Sequence, residues 1–137
     1  MSSASSPGYS FNELAGMLHA AASGLYTAEA AVELLIDHQT WLERADFIGQ
    51  FIAVEHDEDG DGYAGVDWPA ALDALNNHLL PCSGSEANVF RVAASLAGQA
   101  PVTIGAVISG LDARNVTLVL NAIAHASGFR NTEVSLG

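Results

Sequence analysis

Apolar residues recur in this chain three and four positions apart, in runs that begin at helix-capping pairs and end at glycine or proline. Such a period commits a segment to an amphipathic helix, because only there do these positions share one face. Ser10 and Glu13, Thr40 and Glu43, and Ser83 and Glu86 each have the form of a capping box, in which hydroxyl and carboxylate satisfy backbone N–H groups at a helix start. The spacing predicts a mainly α fold, a compact multi-helix bundle, and 137 residues can bury its core as one domain. Residues 1–9, small and polar, read as a flexible N-terminal tail, and residues 10–137 as a single helical domain.

The first helix opens at Ser10, buries Phe11, Leu14, Ala15, Leu18, Ala22 and Leu25, and ends at Gly24. Thr27 is expected to cap the second, whose inner side is Ala28, Ala31, Val32 and Leu35. Opposite these, Glu29, Glu33 and Asp37 are spaced i, i+4, i+8 and make an acidic stripe. From the Thr40 box a third helix carries Trp41, Leu42, Ala45, Ile48 and Ile52 on one side and Phe47 and Phe51 on another. Asp67 caps a fourth, with Trp68, Ala71, Leu72, Leu75 and Leu79 inward and Pro81 as its stop. The Ser83 box opens a fifth helix through Val89, Phe90, Ala93, Leu96 and Ala97 to Gly98. A short helix buries Ile104, Val107 and Ile108, and Asp112 caps a last one with Val116, Val119, Leu120 and Ile123 inward, ending at Gly128. Trp41, Phe47, Trp68, Leu72, Phe90, Val119 and Leu120 are expected to share one core.

Residues 52–67 break the helical pattern. Two apolar arms flank the sequence EDGDG, whose glycines permit positive φ, so a short β-hairpin is expected there. Asp57, Asp59, Asp61 and Gly62 also match the first, third, fifth and sixth positions of a calcium-binding EF-hand loop. The bidentate carboxylate of position twelve is missing, since Trp68 stands there and Asp67 one residue before. A solvated acidic hairpin tip explains the same residues without a cation, so Ca2+ is the only cofactor considered and none is required.

Charge is the second constraint. The chain carries −12, and twelve acids between Glu29 and Asp73 face only Arg44, whereas beyond Asp73 three acids balance three arginines. That balance excludes nucleic acid as partner, because phosphate binding needs a basic surface. It favours a basic protein partner, met by Glu29, Glu33 and Asp37 with Glu43 and Asp46. No apolar run is long enough to span a bilayer and no signal peptide opens the chain, so a cytoplasmic protein with no membrane partner is expected. Arg114, Thr117, Asn121 and His125 line a polar stripe on the last helix, suited to solvent or to a homo-oligomer surface. The five histidines show no zinc spacing. Cys82 precedes a helix start, where the dipole can lower a thiol pKa, but neither a base nor an oxyanion site accompanies it.

The segments DHQTWLERADF, GVDWPAAL, LPCSGSE, RVAASLAG and GLDARNVTLVLNAIAHASG resemble a family of small uncharacterised actinobacterial proteins. The resemblance implies no activity and suggests a domain that stands alone. Three functions follow in order: a non-enzymatic interaction or regulatory factor using the acidic half, a calcium-binding module at residues 57–67, and a cysteine-dependent enzyme at Cys82.

Overall fold

The capping signals set the helix starts in two of three cases. Ser10 and Ser83 form complete boxes: each hydroxyl accepts from the N–H three residues on, at 3.1 Å, and each glutamate accepts from the cap N–H at 2.8 Å. In the computed structural model, which describes residues 8–128, the helices are α1 (Phe11–Ala22), α2 (Tyr26–His38), α3 (Ala45–Phe51), α4 (Trp68–Asn76), α5 (Gly84–Leu96), α6 (Ile104–Ser109) and α7 (Ala113–Ala126). Strands β1 (Ile52–His56) and β2 (Gly62–Val66) pair antiparallel, with Val54 opposite Ala64, so the expected hairpin forms. Residues 1–7 of the expected tail and 129–137 of the expected domain lie outside the described residues.

The Thr40 box does not form. Thr40 already has helical backbone angles, so its hydroxyl caps nothing, and Trp41–Glu43 make only a 3-10 turn. The expected continuous helix is split because Arg44 is extended, at φ −96° and ψ 120°. Its guanidinium is anchored there by Asp46 at 2.6 and 2.9 Å and by the Pro81 carbonyl at 2.6 Å, and it stacks on the Trp41 ring. Ile52, expected on that helix, opens β1 instead.

Thr27 is likewise not a cap. Helix α2 starts at Tyr26 with Leu25 at the cap position, two residues earlier, and the Glu29 carboxylate reaches back to accept from Gly24 N–H at 2.8 Å. Helix α4 ends before Pro81, at a left-handed His78 (φ 60°) whose turn lets Leu79 N–H donate to the Ala74 carbonyl. That turn sends Leu79 outward, 69% exposed, and places Leu80 in the core instead.

Helix α2 is central: α1, α5 and α7 pack on it, and α1 also covers β2. One core cluster holds Trp41, Phe47, Phe90 and Val119, with Trp68 and Leu72 packed against it; Leu120, expected there, is only half-buried and lies outside it. Helix α7 is rotated about one position from its most apolar stripe, turning Asn115, Val119 and Ala122 inward and leaving Ile123 exposed. Leu25, at the α1–α2 turn, and Ile104 and Ile108, on the six-residue α6, are also exposed, since one or two turns can press only a single side such as Val107 onto the core.

Candidate functional site

The acidic stripe and the polar stripe of α7 meet. Helices α2 and α7 run antiparallel, so His125 Nε2 lies 2.9 Å from Glu29 Oε1, and eight residues along α2 Arg114 donates to the Asp37 carbonyl at 3.1 Å. On the other flank, His19 of α1 contacts the Glu33 carboxylate. Two of the three stripe carboxylates are therefore engaged from within the chain, by histidines of two different helices. Thr117 stays on its own helix, bonding the Ala113 carbonyl.

Between these pairs lies a cleft of about 130 Å³. One wall is Glu33 and Asp37, one turn apart on α2; the other is Asn121 and His125 on α7; Leu34, Leu118 and Ala122 line it with apolar surface. Among the described residues no side chain donates to the Asp37 carboxylate. Burial first, and then the neighbouring Glu33 charge, push its pKa up. The Glu29 carboxyl moves the other way, held down by His125 and by Gly24 N–H.

The direction at Asp37 gives a test of its own. A carboxyl raised above its unfolded value leaves stability complete below the unfolded pKa, near 3.9, and loses some as pH rises through the folded pKa. Asp37→Asn should therefore stabilise the fold at pH 7, by under about 1 kcal/mol since the carboxyl is only partly withdrawn from water and solvent still screens it, and should change nothing near pH 3. Melting curves at the two pH values check this.

The remaining interaction candidates lie elsewhere. Asp46 is locked by Arg44, which lowers its pKa, and Glu43 stands exposed on the 3-10 turn. The hairpin tip, by contrast, gathers charge without relief. Oxygens of Asp57, Asp59 and Asp61 come within 4.8 Å of one another, all three residues exposed. Asp57 organises the tip: its Oδ1 accepts from Asp59 and Asp61 N–H, both at 2.9 Å, and its Oδ2 from the Tyr63 hydroxyl at 3.3 Å. Its charge pushes the Tyr63 phenol up. The second half of the would-be calcium loop is strand β2, and Asp67 is spent on Ala70 N–H as the α4 cap, so the tip offers three carboxylates without the distal ligand.

Cys82 is exposed beside a cavity of about 290 Å³ that also meets His78 and Arg91. Burial and the Glu86 charge push its thiol up, the opposite of what an activated thiolate requires. His38 is buried, and burial together with Arg114 pushes its imidazole down; among the described residues its Nδ1 and Asn115 Oδ1 have no partner, while Asn115 Nδ2 donates to Ser85.

His19, Leu118 and Asn121 were not legible from sequence as neighbours of the stripe. The signal on offer was chemical complementarity: acids at helical spacing at 29, 33 and 37, and basic or amide residues at helical spacing at 114, 121 and 125. No helix among the described residues is long and apolar enough to cross a membrane. The chain matches no family model, no curated protein and no solved structure.

Proposed function

We propose that this chain is a non-enzymatic interaction or regulatory factor that meets a basic partner protein through its acidic half. The observation that carries the reading is the α2–α7 cleft, where Glu33 and Asp37 stand beside apolar side chains and, among the described residues, no guanidinium is bonded to either carboxylate. Only one arginine lies within the acidic half, and Asp46 and the Pro81 carbonyl occupy it. The surface thus keeps a field that steers a cationic partner and repels nucleic acid. The unpaired Cys82 fits a reducing compartment such as the cytoplasm.

Capture of a partner from the source cells at low salt, followed by its association kinetics with purified parent and variant chains, tests the reading. Changing Glu29 and Glu33 to Gln and Asp37 to Asn together should slow association and flatten its salt dependence. A variant that matches the parent in both would remove the row from the interface.

A second reading, a divalent-cation site at the hairpin tip, is favoured by the convergence of Asp57, Asp59 and Asp61. Ca2+ prefers six to eight oxygens, so three carboxylates support only a weak, millimolar site. Trp68 begins α4 immediately after the hairpin and serves as the reporter. A fluorescence change at millimolar Ca2+ that Asp59→Asn abolishes would support this reading, and a flat titration would end it.

A further inference from the structure

We propose that the α2–α7 cleft receives the side chain of a single lysine from the basic partner, its ammonium between Glu33, Asp37 and Asn121. The inference rests on the reading of the acidic half as a partner surface and names the group that surface recognises. The cleft is bipolar. Its apolar lining, Leu34, Leu118 and Ala122, suits a methylene stem, and its rim carries two carboxylates, an amide and the His125 ring, whose Nε2 is engaged by Glu29. An ammonium offers three donors, and three of the residues that line the cleft, Glu33, Asp37 and Asn121, carry acceptor oxygens, one Glu33 oxygen being in contact with His19.

The geometry prefers a point charge to a planar fork. Glu33 and Asp37 stand on one wall, and positions four apart on a helix hold their Cβ atoms about 5–6 Å from each other, a span that a compact ammonium can bridge. A guanidinium holds its five N–H donors in one fixed plane, whereas an ammonium can turn its three donors toward acceptors on different sides of a small cleft. A metal ion is not the occupant that fits, since among the described residues the only group of three ligating side chains with converging atoms is at the hairpin tip. The raised pKa of Asp37 agrees: burial first and then the Glu33 charge hold it up despite the opposing pull of His19 and Arg114, and a further cation seated beside it would offset both.

The test titrates the full chain with pentalysine, and with the same peptide fully acetylated, while two-dimensional NMR follows the backbone and side-chain amides. Pentalysine should shift Leu118, Asn121 and Ala122 ahead of the hairpin residues, and the acetylated peptide should shift none of them. Glu33→Gln combined with Asp37→Asn should weaken binding about tenfold. Changing Asp57, Asp59 and Asp61 to Asn removes more charge and, in about 150 mM salt where a Debye length of about 8 Å blunts distant charges, should weaken it less than about twofold. Unchanged circular dichroism of both variants guards against misfolding, and the shifts of the parent chain need no variant at all. Equal losses in the two variants, or shifts led by the hairpin, would overturn the lysine cleft and leave the acidic-surface reading standing. Pentalysine that fails to bind the parent at about 50 mM salt, where screening is weak, would count against that reading itself.

Discussion

Replacing Phe90 with alanine is expected to cost the fold about 3–5 kcal/mol. Phe90 is 1% exposed on α5, and its ring meets three others, with centroids 5.7 Å from Trp41, 5.6 Å from Phe47 and 5.2 Å from Trp68. These rings come from the 3-10 turn, α3 and α4, so one side chain ties α5 to the three elements on either side of the hairpin. The loss combines the transfer free energy of the ring, the cavity left behind, and aromatic pairs worth about 0.5–1.5 kcal/mol each. A domain of this size has about 5–15 kcal/mol in all, so the variant should unfold at a much lower urea concentration. Phe90→Leu, which keeps most of the volume, should lose less. A denaturation midpoint equal to the parent's would mean that the ring does not pack as described.

The second large effect comes from making a side chain bigger. Ala93 and Ala94 on α5 are fully buried, as are Ala30 and Ala31 on α2, and the two helices pack together. Small side chains at such a contact allow the helix axes to lie near the low end of the usual 8–10 Å separation. Ala93→Leu inserts three heavy atoms where no space is left, and should cost about 1–3 kcal/mol by forcing the helices apart or a neighbour off its rotamer. The same change at the exposed Ala106 should stay within about 0.5 kcal/mol. Equal melting temperatures for these two variants would contradict the close α2–α5 contact.

The pairing of acids inside the fold bears on how a partner would bind. Glu29 and Glu33 are held by His125 and His19, so the stripe is a partly engaged seam whose opening lies toward Asp37. A basic partner therefore meets a shaped cleft there and a diffuse negative field elsewhere, to which the three exposed carboxylates of the hairpin tip contribute. Steering by the field and fixation in the cleft are separable in experiment: the first falls with salt, the second with the loss of particular side chains.

Much of the fold was legible in local chemistry. A capping box or an Asp cap acts within four residues, so Ser10, Ser83, Asp67 and Asp112 could be placed from sequence, and each caps its helix. The hairpin followed from two glycine-bearing turn positions between apolar arms, and the core aromatics from helical spacing. Thr40 shows the limit, because an equally good local signal yielded to Arg44, whose partners include the carbonyl of Pro81, 37 residues away.

The site was legible as two lists and not as one place. Sequence alone determined that residues 29, 33 and 37 form an acidic row and that residues 114, 121 and 125 form a polar one, since each list obeys a helical period. Only the tertiary structure decided that α7 lies antiparallel along α2, which sets His125 against Glu29 and Arg114 beside Asp37 and leaves a cleft between. The physical reason is that a period specifies which residues share a face, while the choice of opposing face depends on burial summed over the whole molecule. Here that sum favoured turning Asn115 and Ala122 inward and Ile123 outward, a rotation that no window of local sequence encodes.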